Sequence, residues 1–156
     1  MTTLQTLLEQ YGESHQSDTN KLIHWLCVPA IMFSLIGLLC SLPFPVEKTM
    51  FLNWGAIFLS ATMVYYFRLS IPMFLGFIVI AFGLLWGNFT LSQRLATSGI
   101  SAWQASLLIF AVAWIGQFIG HKIEGKKPSF IEDIQFLLVG PAWLLHFVYK
   151  KIGISY

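Results

Sequence analysis

The chain has 156 residues, of which 56% are hydrophobic and only 10% charged, and its mean hydropathy is +0.71. Soluble domains carry about 25% charged residues, so this composition excludes a disordered chain and nearly every soluble globular domain. A net charge of +2 gives no support to nucleic acid or any other polyanionic partner, and the whole of 1–156 is expected to be a single integral-membrane domain.

Residues 2–13 come first. Leu4, Leu7, Leu8 and Tyr11 fall at i, i+3, i+4 and i+7, which predicts a short amphipathic helix. Its polar face is acidic or neutral, so it is expected to pack on the protein or lie in the interface rather than seek anionic lipid. Residues 1–16 lack the basic start of a cleavable signal peptide and carry Glu9 and Glu13 instead, so the first span is expected to serve as the insertion signal. A polar stretch over 14–20 follows, with Ser17 and Asp18 as candidate helix caps.

The sixteen Lys, Arg, Asp and Glu residues leave charge-free gaps at 22–46, 49–67, 69–93, 95–121 and 134–149. A crossing helix needs about 20 apolar residues, and buried charge is costly there. The gaps predict four full spans, at about 22–42, 50–67, 71–91 and 102–119. The loops at 43–49 and 92–101 are short, which favours antiparallel neighbours. Pro72 suits the first turn of the third span. The fifth gap has 16 residues and contains Gly140-Pro141, which predicts a broken or re-entrant segment. The predicted fold is therefore an all-α polytopic membrane bundle, with an amphipathic helix before the four spans and a broken segment after them. Cys27 and Cys40 lie thirteen residues apart on the first span, about 20 Å by helical rise, so both are expected to be free thiols.

If 134–149 does not cross, one side of the membrane holds Lys21, Arg68, Lys122, Lys126, Lys127, Lys150 and Lys151, and the other holds Lys48 and Arg94. The positive-inside rule then places both termini in the cytoplasm. On this topology all four histidines, His15, His24, His121 and His146, sit near the cytoplasmic face. Histidine is the commonest metal ligand and is rare within membranes, so four on one face suggest convergence on a metal. A turn in 14–19 would fold His15 over His24, and Gly140-Pro141 would let His146 tip inward as a fourth ligand. Asn20 shares a face with His24, while Gln117 and Glu124 flank His121 within one turn. These three are candidates to orient the ligands. Lys122, Lys126 and Lys127 read most simply as positive-inside anchors, with Lys126 and Lys127 as candidates to receive a substrate carboxylate. Asn88 reads as a helix–helix hydrogen bonder. Phosphate loops, CxxC pairs and nucleophile elbows are missing from the sequence.

Two motifs carry a family resemblance. His15-x4-Asn20-x3-His24, followed by Pro29, and Gly120-His121-x2-Glu124-Gly125-Lys126-Lys127-Pro128 resemble the two signatures of the small membrane 2-hydroxy fatty acid dioxygenases. That family includes a fungal endoplasmic-reticulum enzyme and uncharacterised bacterial members. The resemblance implies Fe(2+)-dependent α-oxidation, in which a 2-hydroxy fatty acid and molecular oxygen give a fatty acid one carbon shorter. It also implies that His15, His24 and His121 are required. The acyl chain would lie among apolar helices in contact with membrane lipids, in a bacterial inner membrane or an endoplasmic reticulum. Two other classes use the same histidines: a small transporter with a proton relay, and a haem electron carrier with His24 and His121 as axial ligands.

Overall fold

The computed structural model describes residues 3–13, 15–125 and 137–156. Its described residues form six helices and no strands: α1 (Thr3–Glu13), α2 (Asp18–Ser41), α3 (Trp54–Leu69), α4 (Ile71–Leu95), α5 (Ala102–Ile123) and α6 (Val139–Ile152). Three of these, α2, α4 and α5, are long and apolar enough to cross a membrane.

The second predicted span falls short of that. Asn53 caps α3 by accepting from Ala56 N at 2.9 Å, and its amide holds the carbonyls of Thr49 and Met50. Met50, Phe51 and Leu52 are thereby kept out of the helix. The sixteen residues that remain span about 24 Å by helical rise, against a hydrocarbon layer of about 30 Å. The predicted loop at 92–101 begins as helix, because α4 continues through Arg94 to Leu95. The Gly140-Pro141 pair lies in the first turn of α6. Proline costs nothing in a first turn, where its missing N–H would have no partner. Residues 134–136 of that predicted segment lie outside the described residues.

The α2–α5 pair is the spine of the bundle and the most extensive helix contact. The two run antiparallel, with Gly120 against Asn20, Gly116 against Cys27 and Gly37 against Ser106. Gly116 and Gly120 form a G-x3-G step, which lets two backbones approach closely. A Cβ on Gly116 would stand 2.6 Å from Cys27 Sγ, and one on Gly120 would collide with the Asn20 side chain. At the opposite end Asn88 donates to Phe33 O at 3.0 Å, tying α4 to α2 as the sequence suggests. Ser70 alone joins α3 to α4, and Tyr66 stacks on Phe77 across that hairpin with centroids 3.6 Å apart.

At the end where α2 starts and α5 stops, α1 and α6 pack together. Leu4, Leu8 and Tyr11 bury the predicted apolar face of α1 against Val139, Ala142, Trp143 and Leu144. Two tyrosines fasten α6: Tyr66 Oη donates to Leu138 O at 2.7 Å, and Tyr149 Oη donates to Pro72 O at 2.6 Å. The outer faces of the long helices remain apolar and exposed, as at Leu26, Val79 and Leu108, which suits lipid contact. Cys27 and Cys40 are free thiols.

Candidate metal centre

Three histidines from three different elements meet at the end covered by α1 and α6. His15 follows α1, His24 lies on the second turn of α2, and His121 is in the last turn of α5. All three are buried, with exposures of 3%, 0% and 7%. Each can offer one ring nitrogen so that all three lie within 4.8 Å of one another. Ring centroids are 4.2 Å apart for His15–His24, 5.1 Å for His24–His121 and 5.5 Å for His15–His121.

Local structure sets two of the rings. His15 Nδ1 bonds Tyr11 O at 2.6 Å, and His24 Nδ1 bonds Asn20 O at 2.9 Å. A carbonyl only accepts, so each Nδ1 carries the proton and each Nε2 keeps its lone pair for a ligating role. His15 is further held by Tyr11, stacked at 4.2 Å and 16°, and by Trp143 at 5.3 Å. The chain turns between α1 and α2, and that turn brings His15 over His24.

Glu124 holds this turn closed from the far side of the chain. Its carboxylate accepts from Gln16 N at 2.8 Å, from Ser17 N at 3.0 Å and from Asn20 Nδ2 at 3.0 Å. It therefore satisfies N–H groups at the start of α2 and meets the positive end of that helix. Burial works to raise its pKa, but the hydrogen bonds from Ser17, Asn20 and Gln16 hold it below the ordinary 4.5. Asn20 links the clamp to the cluster: its side chain meets Glu124 and its carbonyl meets His24 Nδ1.

His146 does not join the group. Its Nδ1 pairs with the Tyr156 hydroxyl, and its ring packs on Phe147. Trp143, one turn earlier on α6, already fills the place beside His15. Gly153, at φ 75°, turns the chain after α6, and Tyr156 comes back to His146. Gln117 is buried at 6% exposure but bonds no histidine among the described residues. It faces a cavity between α2 and α5 whose wall also includes Tyr11, Trp114 and Met32. Lys126 and Lys127 lie outside the described residues. The Glu124 clamp and the Tyr11 and Trp143 packing around His15 were not foreseen from sequence. Only the spacing of Glu124 from His121 hinted at the first.

Comparisons with known proteins identify the family of the chain. The family model described as 2-hydroxy-palmitic acid dioxygenase Mpo1-like matches residues 1–152. A curated protein of Saccharomyces cerevisiae, 2-hydroxy-palmitic acid dioxygenase MPO1, is 26% identical over 155 residues, covering 96% of this chain and 82% of that protein. No solved structure matches. The chain belongs to the Mpo1-like family.

Proposed function

Taking that membership as the premise, we propose that the chain is an iron(II)-dependent 2-hydroxy fatty acid dioxygenase with His15, His24 and His121 as the metal ligands. The observation that carries the assignment is the buried cluster of three histidines from three separate elements. Its donors fit a first-row metal. Three nitrogens bound to one ion at about 2.1 Å average at most about 3.6 Å apart, so the group, with separations of up to 4.8 Å, needs to close by roughly 1 Å, within the reach of ring rotation. Three neutral imidazoles leave coordination positions open, and imidazole suits iron.

When bound, iron(II) would supply a site where the hydroxy acid and O2 meet and exchange electrons. The chain's own residues do the rest. Tyr11 O and Asn20 O hold two imidazoles in the ligating tautomer. Glu124 fixes the turn that carries His15. Trp143 and Tyr11 shield the cluster from water. Lys126 and Lys127 follow α5 closely in sequence and are proposed to meet the substrate carboxylate. The reaction balances with one O2 per hydroxy acid: the products are the acid shortened by one carbon, carbon dioxide and water.

The same reading makes 1–156 one membrane domain with four crossings. The starts of α2 and α4 and the end of α5 lie at the histidine end. Gly55 at the start of α3 meets Cys40 near the end of α2, so α3 returns the chain across the bundle despite its shortness. Tyr149 is tied to the start of α4, which supports grouping Lys150 and Lys151 with the histidine end. The seven-to-two split of basic residues then favours a cytoplasmic site and cytoplasmic termini, in an inner or endoplasmic-reticulum membrane.

The test is metal analysis of detergent-purified protein alongside product analysis by mass spectrometry. Stoichiometric iron and an acid one carbon shorter are expected, and each of His15→Ala, His24→Ala and His121→Ala should lose both. Full metal content in all three variants would overturn the ligand assignment.

A further inference from the structure

A polar cavity of about 270 Å³ lies at the end of the bundle away from the histidines, between the end of α2, the stretch before α3 and the last turns of α4. A single buried water needs only about 10–15 Å³ on the same measure, so this cavity has room for a group of several atoms. Ser41, on its wall, stands seventeen residues after His24 on α2, about 26 Å by helical rise. The chemistry at the histidine end therefore makes no use of it.

The inner wall presents acceptors. Asn88 is buried, and its amide nitrogen is spent on Phe33 O at 3.0 Å and Leu84 O at 2.9 Å, which leaves Oδ1 for a ligand. Ser41 Oγ gives its one proton to Gly37 O at 2.8 Å, so it meets a ligand with lone pairs. The Cys40 thiol donates to Asn53 Oδ1 at 3.1 Å, and Asn53 Nδ2 is taken by the carbonyls of Thr49 and Met50. Gly37 keeps space open here, since a Cβ on it would stand 2.4 Å from Asn88 Oδ1.

The rim has the opposite character. Lys48, Thr49 and Gln93 line it and are exposed. Lys48 Nζ is held over the end of α2 by Cys40 O at 3.2 Å and Leu42 O at 3.5 Å. An ammonium has three N–H groups, so one remains for a ligand. The described wall contains no carboxylate. Phe89 closes one side of the cavity and is 44% exposed, on an apolar surface suited to lipid.

A ligand that fits this wall donates at its inner end, carries an anion at the rim and has an apolar part that leaves past Phe89. We propose that the cavity binds a phospholipid headgroup whose alcohol carries N–H or O–H donors, as phosphoethanolamine and phosphoglycerol do. The donors meet Asn88 Oδ1 and Ser41 Oγ, the phosphate meets Lys48, and the acyl chains pass Phe89 into the bilayer. Phosphocholine has the same phosphate, but its quaternary nitrogen has no N–H and would leave both acceptors unpaired, which is disfavoured. The site stands whether or not the histidine end turns over hydroxy acids.

The test is native mass spectrometry of the full chain in detergent, mixed with equal amounts of phosphatidylethanolamine and phosphatidylcholine of identical acyl chains. One phosphatidylethanolamine per chain is expected, retained about fivefold or more over phosphatidylcholine, with phosphatidylglycerol retained as well. Lys48→Met should lower retention of both preferred lipids about tenfold, and Lys48→Arg should restore most of it. Ser41→Ala should reduce the preference over phosphatidylcholine about threefold. Thermal unfolding of these variants should match the wild type, which separates lost binding from lost folding. Free phosphoethanolamine distinguishes the source of the headgroup: displacement of the lipid shows that the headgroup suffices, and its failure shows that the whole lipid is the ligand. Equal retention of phosphatidylethanolamine and phosphatidylcholine by the wild type would overturn the proposal. So would Lys48→Met and Ser41→Ala proteins that both keep the wild-type retention and preference.

Discussion

Replacing Glu124 should damage the metal centre although the carboxylate touches no histidine ring. Asn20 is fully buried, and Glu124→Ala removes the acceptor of its amide, which costs about 1–3 kcal/mol. The backbone N–H groups of Gln16 and Ser17 also lose their acceptor, a capping loss of about 1 kcal/mol. The expected destabilisation is about 2–4 kcal/mol, concentrated in the turn that carries His15. Loss of such a supporting contact typically weakens metal binding about 10- to 100-fold. Competition with a chelator of known affinity measures it, with iron or cobalt as the probe. Glu124→Gln keeps an acceptor oxygen and should fall between the wild type and Glu124→Ala. The pH dependence has a defined sign. The folded pKa is lowered, so the carboxylate stabilises the fold at every pH above its ordinary value and loses that contribution only as pH falls through the folded value, below about 4.5. Between pH 6 and 8 the difference between wild type and Glu124→Ala should therefore stay constant. A Glu124→Ala protein with wild-type metal affinity and thermal stability would refute the clamp.

Gly120→Val should lower stability by about 1–3 kcal/mol, the usual range for overpacking, and reduce metal content, because the added carbons meet Asn20 where Glu124 pins it. Thermal unfolding and metal analysis check both effects. Gly83 has open space around its Cα, so Gly83→Ala should stabilise α4 by about 0.5–1 kcal/mol through helix propensity; a loss of stability there would contradict the placement of α4. Adding a strong chelator should leave the far-ultraviolet circular dichroism unchanged, since the three apolar clusters that hold the helices together are formed without the three clustered histidines. Alkylation in denaturant without reductant should add two adducts per chain, one each at Cys27 and Cys40.

The sequence made the long helices legible because charge is excluded from hydrocarbon: α2, α4 and α5 each fall within a few residues of a predicted span. It misled where a single polar side chain outranks hydropathy. Asn53 ends the run of Met50, Phe51 and Leu52 by capping α3, and a composition window weighs that asparagine as one unfavourable residue among many. Gly140-Pro141 lies in the first turn of α6, a place where proline is tolerated because its missing N–H has no partner to lose. The buried face of α1 was legible from its 3.6-residue period, and so was the turn in 14–19, from its polarity.

The candidate site divides along a similar line. Residues within one turn of a histidine on its own helix could be found by spacing, which picked out Asn20, Gln117 and Glu124. What each one touches depends on helix rotation, and spacing carries no information on that. Gln117 sits one turn before His121 yet faces a cavity, whereas Glu124, one turn after it, reaches across to α2. His146 shows the same limit at longer range, because its partner, Tyr156, is brought to it by a left-handed glycine. One consequence concerns assembly. Two of the three histidines ride on the antiparallel α2–α5 pair, whose close approach is built into Gly116 and Gly120. The third rides on a short segment held by Glu124, Tyr11 and Trp143. The α2–α5 pair can thus form without the site, and the three histidines meet only when α1 and α6 dock over it, so the contacts around His15 control whether the cluster assembles.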